Sequence, residues 1–241
     1  MLLAVDIGNS RIKYAVFEKN TLLELFASEK FLVREEIRKI LFLYPDISVV
    51  MVSSVRELTK NDFSGINKNI EIRFVTHDSD FPFVNKYKTP KTLGIDRMIL
   101  ASGASLKYPN QNKLIIDAGT AITYDFIDEK NNYFGGAISA GINLRYKALN
   151  DYTAKLPLLQ KTEDDFFLGI TTSESIHSGV INGVLFEIEG FINRLRNRCD
   201  NFIIILTGGD TDFLAKRLKN TIFANRNFLL ESLNDLYQFQ K

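Results

Sequence analysis

The sequence predicts a mixed α/β chain built from two similar units that face each other across a cleft. Three observations lead there. Short apolar strand patterns alternate with helix-spaced segments along most of the chain. Its 241 residues suit two units of about 120 each. One piece of local grammar, an acidic residue at a strand's end followed by a glycine and a second strand, occurs twice.

In the first unit, Leu2–Val5 has the apolar pattern of a short buried strand, Ile12–Glu18 alternates, and Leu22–Ala27 is a third candidate strand. Glu35–Tyr44 has helical spacing at Ile37, Ile40, Leu41 and Tyr44, and Pro45 stops it. Ser48–Val52 is another apolar strand. Arg56–Lys91 is irregular, punctuated by Gly65, Pro82 and Pro90, and Thr92–Lys107 is helical with Gly94 near its beginning. The grammar then restarts with strands at Lys113–Ile116, Ala121–Ile127 and Tyr133–Ile138, the last two joined by the polar turn Asp128–Asn132. Helical patterns follow at Ile142–Tyr152 and Thr172–Arg198. A strand at Phe202–Leu206 runs into Thr207-Gly-Gly-Asp210, and a helix is expected over Thr211–Leu218. No linker rich in Pro, Gly or Ser parts the halves, so two closely packed domains are expected, 1–112 and 113–241.

Composition narrows the function classes. Hydrophobic residues at 45% and charged residues at 24% exclude wholesale disorder. Thirty Lys and Arg against twenty-nine Asp and Glu leave no overall positive field to draw the chain onto nucleic acid or an acidic membrane. A lone Cys199 excludes an intrachain disulfide, and with only His77 and His177 beside it a His/Cys metal centre is not expected. The apolar start meets Asp6 too soon for a signal peptide, and no apolar run approaches the roughly 18 residues of a membrane helix. The expected compartment is the cytoplasm.

The repeated motif carries the chemistry. Asp6-Ile-Gly-Asn-Ser10 follows the first strand of the first half, and Asp117-Ala-Gly-Thr-Ala121 follows the first strand of the second. A single Asp-x-Gly is an ordinary hairpin turn. Two copies in matching settings, with Thr207-Gly-Gly209 after a further strand, point to a ligand. Glycine lets backbone approach closely, and successive N–H groups with Asn9, Ser10 or Thr120 can form an anion-binding concavity suited to phosphate. Asp6 and Asp117 would repel a bare phosphate, so a cation such as hydrated Mg²⁺ should mediate, and Lys13 can reach the same phosphates. Neither half carries a Walker-type loop or a Gly-x-Gly-x-x-Gly fingerprint.

The chain resembles the type III pantothenate kinases of the acetate kinase, sugar kinase, Hsp70 and actin superfamily. Five stretches carry the resemblance in the family's order: Asp6-Ile-Gly-Asn-Ser-Arg-Ile-Lys13, Gly94-Ile-Asp-Arg97, Asp117-Ala-Gly-Thr-Ala-Ile-Thr-Tyr-Asp125, Gly135-Gly-Ala-Ile-Ser-Ala-Gly141, and Gly169-Ile-Thr-Thr172 to Gly179. It implies two tandem ribonuclease H-like (actin-like ATPase) domains with mixed sheets and an interdomain cleft. It also implies ATP-dependent phosphorylation of pantothenate to 4′-phosphopantothenate, towards coenzyme A, by a homodimer using Mg²⁺ and a monovalent cation, K⁺ or NH₄⁺. By that resemblance Asp6, Ile7, Gly8, Asn9, Ser10, Arg11, Ile12 and Lys13 hold the ATP phosphates, Asp6 organises Mg²⁺ through water, and Thr120 contacts the nucleotide. Asp117 serves the monovalent cation. Asp96 is the general base, and Tyr87, Gly94, Ile95, Asp96, Arg97 and Thr172 contact pantothenate. The chemistry agrees: an alcohol attacking a γ-phosphate needs a carboxylate to orient it and take its proton, and Arg97 offers a fork for the substrate's carboxylate.

Two departures from the family pattern stand out. Ala140 replaces the proline usual before Gly141, which loosens that turn, and Ser10 replaces a commoner threonine while keeping the hydroxyl. Two rivals are an accessory transcription regulator with weak or no kinase activity, and a phosphotransferase of the same superfamily with another acceptor. The near-neutral charge argues against direct DNA binding. His177 is expected to be structural or exposed, Cys199 inert, and Arg194, Arg196 and Arg198 a solvated helix face. Most of the 19 phenylalanines are assigned to core and dimer interface.

Overall fold

A computed structural model describes residues 1–9, 11–28, 32–54, 63, 65–67, 69–199, 201–220 and 222–241. Ser10 and most of the stretch from Arg56 to Lys68 therefore lie outside the described residues. By their internal contacts the residues form two units: Met1–Pro109 with Asn131–Phe134 and Asn227–Lys241, and Asn110–Lys130 with Gly135–Arg226. The sequence expectation of two contiguous halves, 1–112 and 113–241, thus differs from units that each draw on separate stretches of chain.

The first unit is organised by two apolar runs, β1 (Leu2–Ile7) and β4 (Val49–Ser54), both buried along nearly their whole length. Buried on two faces, they pair in parallel at the centre of a sheet, where near-continuous apolar sequence is required. β2 (Ile12–Glu18) folds back antiparallel on β1, and β3 (Thr21–Ser28) follows antiparallel as an exposed edge, with an irregularity between Val16 and Phe17. β5 (Glu71–Phe74), a short mixed-polarity strand without a sequence signature, closes the order β3-β2-β1-β4-β5. Leu3, Val5 and Ile7 of β1 pack with Val33, Ile37 and Ile40 of helix α1 (Val33–Leu43). Strand alternation sends Leu2, Ala4 and Asp6 to the other face. Helix α2 (Ile95–Lys107) and the last helix of the chain lie against the same sheet.

The second unit repeats the plan. β7 (Asn112–Ala118) pairs antiparallel with β8 (Ala121–Ile127) and parallel with β10 (Phe202–Thr207), which in turn pairs with β11 (Phe223–Ala224). With β9 (Asn132–Ala140) beyond β8, the order β9-β8-β7-β10-β11 matches β3-β2-β1-β4-β5 strand for strand. The internal repeat read from the two Asp-x-Gly loops is therefore a repeat of topology. The first residues of β9 also pair with β6 (Val84–Asn85). Helices α3 (Ile142–Asp151), α4 (Thr172–Arg196) and the short α5 (Thr211–Ala215) cover the β7 face that carries Leu114, Ile116 and Ala118. α4 presents Ile176, Val180, Val184, Ile188 and Ile192, one residue per turn, to this core.

Helix α6 (Phe228–Phe239), to which the sequence reading assigned no element, belongs to the first unit and packs along α2. Gly103 makes that approach possible: a Cβ there would overlap the side chain of Ser232. Lys107 at the end of α2 bonds Glu231 of α6. Among the described residues no helix is long and apolar enough to cross a membrane.

Gly103→Ala should lower the unfolding free energy by about 2 kcal/mol through overpacking of α2 on α6. Gly190→Ala on α4, where a Cβ meets nothing, should instead be neutral or stabilising by up to about 1 kcal/mol. Urea melts of both variants check the pair, and equal destabilisation would reject this account of α2–α6 packing.

Candidate active site

The β1–β2 hairpin ends its ladder at Asp6↔Lys13 and Ile7↔Ile12, and the Gly8 N–H closes the turn by donating to the Arg11 carbonyl at 3.1 Å. Ile7 and Ile12 are core residues, so any contact they make with phosphate is through backbone. Asn9 and Arg11 are exposed at the tip, and Lys13 is half-buried beside Asp6. On the other side of Asp6 the parallel partner is Ser53, whose hydroxyl is buried with no hydrogen-bond partner among the described residues. Ser53 was absent from the sequence reading, which ended that strand at Val52. The signal available was the Ser53-Ser54 pair closing an apolar run.

Asp6 is only 8% exposed. Burial pushes its carboxyl up to about 6; Lys13 opposes the rise, and the neighbouring charge of Asp96 adds to it. The structure therefore brings the carboxylates of Asp6 and Asp96 into one electrostatic environment. Asp96 arrives from the first turn of α2, where its Oδ1 accepts the Arg97 backbone N–H at 2.8 Å, an arrangement favoured at a helix N-terminus. Gly94, the N-cap, has no side chain to obstruct that carboxylate: a Cβ would lie against Asp96 Oδ1. Ile95 is half-buried between them. The expected helix start at Thr92 is a separate 3-10 turn, Pro90–Thr92, because Pro90 favours a first-turn position.

Arg97 is buried, with its guanidinium 5.9 Å from the centre of the Tyr87 ring. Tyr87 in turn lies 6.4 Å from Tyr133. Arg97 and Tyr87, ten positions apart in the sequence, are thus neighbours. His77 Nε2 lies 2.8 Å from the Leu93 carbonyl, fixing the residue just before Gly94; no sequence signal marked His77 for that task.

The second loop copies the first. Asp117 sits at the end of β7 between Thr123 and Thr207, and the Gly119 N–H donates to the Ala121 carbonyl at 3.0 Å. Thr120 is exposed at the tip. Thr123 Oγ1, like the Ser53 hydroxyl, is buried without a hydrogen-bond partner among the described residues. Gly208, with φ +98°, lies where a side chain would strike Asp117 Oδ1 and the Ala118 carbonyl. The Asp210 N–H donates to that carbonyl at 3.0 Å while its carboxylate holds Lys161. Asp210 and Lys161 were not among the sequence candidates.

Thr172 is elsewhere in the second unit, at the start of α4. Thr171 caps that helix by accepting the Glu174 N–H at 3.2 Å. Thr172 borders an apolar groove of about 760 Å³ between α3 and α4, lined also by Tyr152, Leu156, Ile176 and Val180. His177 meets Tyr146 Oη at 2.8 Å and stacks on Phe166, a packing role. Arg194, Arg196 and Arg198 are exposed.

Among the described residues no group of three or more His, Cys, Asp and Glu side chains could hold a metal ion. The donor set of single carboxylates flanked by unpartnered hydroxyls fits a cation that keeps most of its water and shares the rest with phosphate oxygens.

Comparison with known proteins bears on what this arrangement serves. The family described as type III pantothenate kinase matches residues 2–194. Proteins of that description from Flavobacterium johnsoniae and Flavobacterium psychrophilum are 58% and 56% identical to this chain, over 100% of it and 98% and 100% of their own lengths. A solved Campylobacter jejuni chain placed in the Baf family of transcriptional activators superposes with a TM-score of 0.63 at 23% identity, covering 98% of both chains, and speaks for the fold alone. On these matches the chain belongs to the type III pantothenate kinase family.

Proposed function

We propose that the chain transfers the γ-phosphate of ATP to the primary hydroxyl of pantothenate, giving 4′-phosphopantothenate on the way to coenzyme A. The observation that supports this reading is that the Asp96 carboxylate lies near enough to Asp6 for its charge to help raise the Asp6 carboxyl. In this reading the Asp6–Lys13 hairpin receives the triphosphate, with backbone N–H groups and the Lys13 ammonium against its oxygens. Asp96 accepts a hydrogen bond from the pantothenate hydroxyl, holds it in line, and takes its proton as the O–P bond forms and ADP leaves. Arg97, braced by Tyr87, receives the pantothenate carboxylate. Gly94 and Ile95 flank Arg97 in that role, Thr172 is read as a further pantothenate contact, and Thr120 as a contact to the nucleotide. A divalent ion held through water by Asp6 would supply charge neutralisation on the phosphate oxygens. Asp117 would hold the monovalent cation.

The enzyme is read as a cytoplasmic homodimer. Phe167, Leu168, Ile170 and Phe186 are large, apolar and exposed on α4 and the segment leading into it, which suits a face covered by a second copy. Membership of the kinase family weighs against the regulator and against another acceptor.

Purified protein with Mg·ATP and pantothenate should form product in K⁺ and much less in Na⁺. Product formation with equal rates in both salts would remove the specific cation site, and no product in either would remove pantothenate as the acceptor. Asp96→Asn should keep the fold and nucleotide binding while kcat falls by about a hundredfold or more. A near-wild-type kcat would take Asp96 out of the base role.

The third expectation concerns Asp6. Its folded value, about 6, lies above the ordinary 3.8, so the folded chain binds a proton more tightly than the unfolded chain. Stability of the nucleotide-free protein should therefore be greatest at acid pH with respect to this group. It should fall as pH rises from about 4 to about 6, by as much as about 3 kcal/mol, and then level. Asp6→Asn should flatten that slope in urea melts and abolish turnover; an unchanged slope would show that Asp6 does not titrate there.

A further inference from the structure

Arg145 of α3 joins three elements, α3, β9 and α4, through one guanidinium. Its Nε donates to the Ala140 carbonyl at 2.8 Å, and Nη2 donates to Ser139 Oγ at 3.0 Å and to Glu187 Oε2 on α4. Glu187 also accepts from Ser139 Oγ at 2.9 Å and, through Oε1, from Tyr124 Oη of β8 at 2.8 Å. Burial alone would raise the Glu187 carboxyl, yet its hydrogen bonds to Arg145, Tyr124 and Ser139 outweigh it and hold the group below the usual range. The carboxylate is ionised and fully engaged, so the guanidinium has a fixed anchor.

The backbone held by this anchor leads directly to the second Asp-x-Gly loop. Gly141, next to Ala140, donates its N–H to the Thr120 carbonyl at 3.1 Å. It packs so closely that a Cβ would collide with the carbonyls of Gly119 and Thr120. Gly119 and Thr120 thus rest on a turn whose own sequence, Ser-Ala-Gly, does little to restrict it, since neither Ala140 nor Gly141 fixes φ as a proline would.

We infer that Arg145, anchored by Glu187, is a positioning residue for nucleotide binding: its hydrogen bond to the Ala140 carbonyl supplies the stiffness that sets Gly141 and, through it, Thr120. This rests on the proposed role of Thr120 at the nucleotide. A side chain restraining a turn and a proline restraining it from within should be interchangeable, and that makes the inference separable from a general loss of stability.

The test uses the full-length protein as wild type, Arg145→Met, Ala140→Pro and the double variant. The readouts are amide exchange at Gly141, affinity for a non-hydrolysable ATP analogue with Mg²⁺, and steady-state kinetics. Arg145→Met should speed Gly141 exchange and weaken the analogue by about tenfold each, the size usual for a supporting residue, while KM for pantothenate stays within about twofold. Ala140→Pro alone should change little, and in the double variant it should recover most of both losses. Wild-type exchange and affinity in Arg145→Met would overturn the inference, as would losses that proline leaves untouched. If Arg145→Met does not fold, Glu187→Gln, which frees the guanidinium from its charged anchor, should give the same pattern at smaller size; wild-type values there would equally overturn it. Wild-type protein that binds the analogue but leaves pantothenate unphosphorylated would sink the acceptor assignment alone. Wild-type protein that fails to bind the analogue would sink the role of Thr120, and the inference with it.

Discussion

Burial of the Asp6 carboxylate is the constraint on which the first unit turns. A strand with both faces covered has no cheap place for a charge. β1 nevertheless ends in one, 8% exposed, between Lys13 on one side and an unpartnered Ser53 hydroxyl on the other. Alternation along β1 fixes its face: with Leu3, Val5 and Ile7 committed to α1, Asp6 must share the side of Leu2 and Ala4. Asp96 is held near it because α2 is itself held, by Ser232 fitted against Gly103, by the Lys107–Glu231 bond, and by His77 on the Leu93 carbonyl ahead of it.

The second unit uses the same ladder with different chemistry. Asp117 occupies the position of Asp6, yet its partners are Thr123 and Thr207 where Asp6 has Lys13 and Ser53. The first loop therefore carries a positive charge suited to phosphate, whereas the second offers neutral oxygens, which suit a weakly held cation. One topology, repeated, thus carries two chemically different loops. The glycines around the second loop, Gly141 and Gly208, keep it tight by close backbone approach, and the Arg145–Glu187 pair restrains it from outside.

Much of this could be read from the chain alone. The apolar runs of β1, β4, β7 and β10 mark themselves because central strands admit little else. The Asp-x-Gly loops mark themselves because the same spacing follows the same kind of strand twice. Helix α6 escaped although its apolar residues recur at helical spacing, and its partner α2 lies more than a hundred residues away. β5 and β6 escaped as well, being too short and polar to show a pattern.

The sequence by itself thus determined the repeat, the chemical types at each loop and the identity of the acidic residues, because these depend on local spacing. Only the tertiary structure decided that Asp96 shares the environment of Asp6, that Tyr87 braces Arg97, and that Ser53, His77, Arg145 and Glu187 surround the motifs. Such contacts join residues distant in the chain, and their energy comes from burial and hydrogen-bond geometry that no local pattern records.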